Sequence, residues 1–86
     1  MAPSVARIGD PCSHGGSIST GSDDVLCNGL GVARVGDTYE CPIHGPNSIS
    51  TGSEDVLANG RQVARVGDET ECGAIIEEGS PDTFAN

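Results

Sequence analysis

His14, Cys41 and Cys72 each stand four residues after the aspartate of a recurring Gly-Asp pair, and His44 follows Cys41 at a spacing of three. Imidazole nitrogen and thiolate sulfur suit a borderline-soft divalent cation, and four such groups make a closed tetrahedral Cys2His2 shell. A Cys-x2-His pair arises often by chance. The weight here comes from register, because the same slot after Gly-Asp is always His or Cys. A shell closed by four protein ligands leaves no position for a substrate water, so the expected metal is a staple and not a catalyst. Zn2+ is the expected ion and Fe2+ the alternative, for mixed thiolate and imidazole ligands. Cys12 lies near His14 but out of register with Cys41 and Cys72, and is not expected to ligate. Cys27 is replaced by Ala58 in the sister repeat, which marks it as a small strand side chain.

The ligands take their places from an internal repeat. Ser17 to Asp37 recurs as Ser48 to Asp68 at an offset of 31, with 17 of 21 positions identical. One structural unit is therefore used repeatedly. Val5-Ala6-Arg7-Ile8-Gly9-Asp10 matches the back half of the unit, and Gly79 to Asn86 matches its front half. Joined, the two ends make a third unit. Arg7 to Arg34 spans 27 residues and Arg34 to Arg65 spans 31, the four extra residues lying in the connector after Asp37. That insertion supplies His44.

Asn28-Gly29 and Asn59-Gly60 are two-residue hairpin signals, because the pair tolerates the positive φ values of a type I′ turn. The strands expected before them are Val25-Leu26-Cys27 and Val56-Leu57-Ala58. The expected returns are Val32 to Val35 and Val63 to Val66, and short lead-in strands are expected at Ser17 to Thr20 and Ser48 to Thr51. The front half that ends at Asn86 needs a return strand, and Val5 to Ile8 offers one. The expected fold is all-β: short β-hairpins in pseudo-threefold symmetry, with residues 1–86 as a single domain and one metal as staple.

The 86 residues include one Phe, one Tyr, one Met and no Trp. A core so thin normally needs disulfides or a metal. No apolar signal region precedes Asp10 and no stretch approaches a membrane span, so reduced thiols and a metal are expected over disulfides. The net charge is −9, from four Arg, no Lys and 13 acidic residues. That balance repels a phosphate backbone and an anionic bilayer, which excludes nucleic acid and stable membrane insertion as expected partners. Arg7, Arg34 and Arg65 are expected to pair with nearby carboxylates. The chain is not expected to be an enzyme: committed ligands and small size leave no open Cys-His cleft.

The Val-Ala-Arg-Val-Gly-Asp segments with Cys41-Pro42-Ile43-His44-Gly45, Ser13-His14-Gly15-Gly16 and Cys72-Gly73 resemble the PAAR family over nearly the whole chain. The family name derives from Pro-Ala-Ala-Arg; here the positions read Gly31-Val32-Ala33-Arg34 and Gln62-Val63-Ala64-Arg65. The resemblance implies a small cone with a metal near its point. Its base would cap the blunt end of a homotrimeric, VgrG-like β-helical spike, one copy per trimer, in type VI secretion or a contractile phage-tail-like system. It further implies assembly in a bacterial or phage-infected cytoplasm and delivery with the spike during membrane puncture. The chain reads as a bare tip, with any effector a separate molecule. The competing reading is a small redox or metal-handling protein with a rubredoxin-like iron site. A sugar-binding module is disfavoured, since the chain has two aromatic residues and such sites use aromatic platforms.

Overall fold

The computed structural model describes residues 2–86. Seven short strands form: β1 (Ser17–Ile18), β2 (Leu26–Cys27), β3 (Leu30–Gly31), β4 (Thr38–Cys41), β5 (Gly45–Ser48), β6 (Leu57–Ala58) and β7 (Arg61–Gln62). All pairings are antiparallel, and no helix occurs among the described residues. β2 pairs with β3 across Asn28-Gly29, and β6 with β7 across Asn59-Gly60. Both asparagines sit at φ 56° and the glycines at 79° and 77°, the two consecutive positive values a type I′ turn requires.

The return strands differ from expectation. They are Leu30–Gly31 and Arg61–Gln62, not Val32 to Val35 and Val63 to Val66. Val32 and Val63 keep one bond each to their own hairpins, to Val25 O and Val56 O at 3.0 Å, and the segments also pair with a neighbouring unit: Arg7 with Val32, Arg34 with Val63, and Val5 with Arg65. Pairing between units wins because three such segments close on one another. Ala33 N donates to Ala6 O, Ala64 N to Ala33 O and Ala6 N to Ala64 O, each at 2.9 Å. The three alanines are fully buried. Every donor and acceptor in this triangle is satisfied only when all three segments are present.

The lead-in strands are also shorter than expected. β1 covers Ser17–Ile18, and β5 ends at Ser48, leaving Ile49 a single bridge to Thr70. The terminal contact expected of Val5 to Ile8 runs instead through Pro3, Ser4 and Val5. Ser4 bridges Phe84, Val5 N donates to Thr83 O, and Ala85 N donates to Pro3 O. The third unit also reaches further back than Gly79. Gly67 N donates to Ile76 O as Gly9 N does to Ile18 O and Gly36 N to Ile49 O.

Alternation along an extended chain sends consecutive side chains to opposite faces. Ala6, Ala33 and Ala64 face a cluster with Ile18, Tyr39, Ile49 and Ile76, whereas Val5, Val32 and Val63 face a second one with Cys27, Ala58 and Ala85. The triangle thus separates two thin cores.

Each unit is locked by a forked ion pair. Arg7 reaches Asp10 through Nε and Nη2 at 3.0 and 2.9 Å, Arg34 reaches Asp37 at 2.8 and 3.0 Å, and Arg65 reaches Asp68 at 2.9 and 3.1 Å. The same carboxylates accept the arginines' own backbone N–H, which fixes the Gly-Asp turn that launches each connector. Asp37 takes a second arginine, Arg61, at 3.2 Å. Burial pushes the Asp37 carboxyl up, but the hydrogen bonds from Arg34 and Thr20 outweigh it and hold the carboxyl below its ordinary value.

Two outcomes follow. Ala33→Leu or Ala64→Leu should overpack the axis and cost about 1–3 kcal/mol or more in urea denaturation, whereas exposed Leu30→Ala should stay within about 0.5 kcal/mol. Because the Asp37 pKa is depressed on folding, its stabilisation is complete above the ordinary carboxylate range of about 4 and is lost as pH falls through the folded value. A carbon-detected titration of Asp37 should therefore show a midpoint below about 4, and Asp37→Asn should flatten the acid limb of the stability profile.

Candidate metal centre

The three connectors leave the Gly-Asp turns on the alanine side of the triangle. Their second residues, Cys12, Tyr39 and Thr70, are structurally equivalent: they bridge Ile76, Ile18 and Ile49 respectively, and all are buried. Alternation puts the residue two further on along the same face, at the edge of that core: Cys41 is buried in the same cluster and Cys72 packs against it. That residue is His14, Cys41 or Cys72. The common register thus explains why Cys12 is a core side chain and His14 a candidate ligand. Burial pushes the Cys12 thiol up to about 11, which keeps it protonated.

The middle connector is not the loop its sequence suggests. With its four additional residues it folds into a hairpin, β4 pairing with β5 from Thr38↔Ser48 to Cys41↔Gly45, with Gly45 at φ 79°. The Pro42-Ile43-His44 turn brings His44 back over Cys41, and His44 N–H donates to Cys41 Sγ at 3.3 Å. In the first connector, a Cβ at Gly16 (φ 68°) would lie 1.9 Å from Glu40 O, so only glycine lets His14 approach β4. In the third, Cys72 N donates to Asn47 Oδ1 at 3.2 Å, tying Cys72 to β5.

The result brings together all four candidate side chains. Their ligand atoms lie within 4.8 Å of one another. His14 Nδ1 is 3.8 Å from Cys41 Sγ and 3.7 Å from Cys72 Sγ, and His44 Nδ1 is 3.6 Å from Cys41 Sγ. A tetrahedron with metal–sulfur bonds of about 2.3 Å and metal–nitrogen bonds of about 2.0 Å has nitrogen–sulfur edges of about 3.5 Å. The observed edges fit that solid, so the cluster is able to hold one metal ion. All four cysteines are free thiols, with no bond between Cys41 and Cys72.

The surroundings favour the ligating thiolate at both cysteines. Burial pushes the Cys72 thiol up, but Thr70, the Ala74 N–H and His14 outweigh it and bring it down to about 6. Cys41 is likewise lowered: desolvation acts upward, and the His44 and Ile43 N–H groups act downward more strongly. Such donors to sulfur stabilise the thiolate that binds metal. His14 is raised by its contacts with Cys41 and Cys72. Tyr39 Oη donates to Gly15 O, clamping the first connector onto the second. Thr70, Asn47 and Tyr39 were missed as supporting residues in the sequence reading. The signal for Tyr39 and Thr70 was their common place two residues after each Gly-Asp.

The fold and site together describe a small all-β metal clasp built on an internal threefold. A family model described as the PAAR motif matches residues 5–84, and the chain belongs to that family. No curated protein matches the chain. PAAR proteins are structural spike-tip proteins of secretion and phage-tail-like systems and associate with spike proteins, which assigns this chain a spike-tip role in general terms. No helix among the described residues is long and apolar enough to cross a membrane.

Elemental analysis should find about one metal ion per chain. Cys72→Ser or chelation should remove a folding contribution on the order of 10 kcal/mol and lower the melting temperature sharply, while Cys27→Ala should change it little. Equal effects from the two substitutions would remove Cys72 from the ligand set.

Proposed function

We propose that the chain is a single domain, residues 1–86, of three hairpin units, which caps and sharpens the blunt end of a homotrimeric, VgrG-like β-helical spike. One copy sits on each trimer. His14, Cys41, His44 and Cys72 bind a structural Zn2+ that stiffens the point for membrane puncture. The cap is assembled in the bacterial or phage-infected cytoplasm and leaves with the spike.

One observation carries this reading. Leu26, Leu57 and Phe84 occupy the same place in the three units and are 59%, 59% and 55% exposed. With Val25, Val56 and Thr83 they line a shallow apolar hollow. Its floor includes Val5, Val32 and Val63, the face of the triangle opposite the metal cluster. A soluble protein that leaves three equivalent large apolar side chains in water supports docking there. Threefold repetition of the patch supports a threefold partner, since each unit can then meet one chain of a trimer in the same way.

The test is co-purification with a trimeric β-helical spike and measurement of stoichiometry. One cap per trimer is expected, and Leu26→Ser, Leu57→Ser and Phe84→Ser combined should weaken binding by at least about a hundredfold, as loss of central apolar anchors does. Retention of normal capping by the triple variant would sink the docking assignment.

A further inference from the structure

The chain segments that line the apolar hollow are preceded by exposed carboxylates in all three units. Asp23 and Asp24 precede Val25, Glu54 and Asp55 precede Val56, and Asp82 precedes Thr83; all five are exposed. Among the described residues, the ion pairs involve only Asp10, Asp37 and Asp68, so none of the five has an arginine partner. Arg7, Arg34 and Arg65 lie near these carboxylates but are each forked onto Asp10, Asp37 or Asp68, and the remaining cation, Arg61, stands in the place that Leu30 takes in the sister unit. It folds back onto Asp37 at 3.2 Å and does not neutralise them. Two of the carboxylates are also held in place by the hairpin turns. Asn59 Nδ2 donates to Asp24 at 2.8 Å, and Asn28 Nδ2 donates to Asp82 at 3.1 Å. These bonds cross between units, so one carboxylate in each of two units is anchored to its neighbour.

An exposed apolar hollow would by itself favour pairing of two copies, face to face. Here such pairing would oppose two sets of carboxylates across a partly desolvated seam, where like charges cost several kcal/mol. The same carboxylates attract a surface of opposite sign. We infer that this face is selective for a partner whose threefold end presents one apolar side chain per chain at its centre, surrounded by lysine or arginine. The inference rests on the spike-cap reading and adds the chemistry of the partner's face to it. The apolar centre supplies the affinity. The carboxylates supply partner choice, orientation and association rate, and they keep free caps apart.

The test uses the full chain with its metal and two versions of a purified homotrimeric β-helical spike fragment. Both versions end in a leucine ring; one carries a lysine per chain beside it and the other a glutamate. Asp23 and Glu54 make no side-chain hydrogen bonds among the described residues, so Asp23→Lys with Glu54→Lys should retain the fold, checked by melting temperature and metal content. The native cap should bind the lysine trimer at least about tenfold more tightly than the glutamate trimer, and raising salt from about 0.05 M to about 0.5 M should erase most of that difference. The double variant should reverse the preference. Equal binding of both trimers by the native cap would overturn the charge selection while leaving the capping role intact. Binding of neither would overturn both. A native cap that sediments as a dimer at low salt, and becomes monomeric on Leu26→Ser, would overturn the inference in favour of a second copy as occupant.

Discussion

Three backbone segments that hydrogen-bond to one another around a closed ring hold this molecule together. In the ring formed by Ala6, Ala33 and Ala64, each peptide donates to one neighbour and accepts from the other. Leaving out a segment would strand one buried donor and one buried acceptor, at a cost of about 1–3 kcal/mol each. The ring also sets the size limit at the axis, because three methyl groups meet where larger side chains would collide. From that constraint come the threefold arrangement, the separation of two thin cores and the opposite directions taken by hairpins and connectors.

The ring alone gives little apolar burial. Its cores are made of alanines, valines, isoleucines, a tyrosine and buried cysteines, far below what a larger domain collects. Directional interactions make up for missing bulk. Forked arginine–aspartate pairs fix each turn, and the connectors converge on a cluster able to hold a metal. There the symmetry is deliberately incomplete. Three equivalent positions could offer three ligands, and the four-residue insertion after Asp37 becomes a hairpin that contributes His44. A threefold scaffold thus acquires a fourfold donor set through a local departure from its own repeat.

The two faces of the triangle have opposite chemical character. One gathers nitrogen and sulfur donors over a tightly bonded core, and the other leaves Leu26, Leu57 and Phe84 in solvent beside exposed carboxylates. Under the proposed capping role, the first face would be the rigid point and the second the base that meets a partner. The hairpin turns connect the two faces. Asn28 accepts a hydrogen bond from Arg7 and donates to Asp82, so the groups that close the fold also place the charge at its base.

Much of this was legible in the residues themselves. The 31-residue repeat, the Asn-Gly turns and the fixed slot after Gly-Asp point to an all-β array and to His14, Cys41, His44 and Cys72. These are local or periodic signals: a turn needs a particular φ, and a repeat copies its environment. The pairing partners were not legible. Val32 and Val63 look like hairpin returns, since local pattern cannot tell a strand that pairs with its own unit from one that pairs with the next. Only closure of the triangle decides between them, because its hydrogen bonds join residues far apart in the chain. The β4–β5 hairpin was hidden for a similar reason, its Pro42 and paired glycine and asparagine reading as loop until β1 and the third connector pack beside it. The two-sided division of the molecule was likewise a tertiary outcome, since the alternation of Val and Ala has no inside or outside until three segments meet.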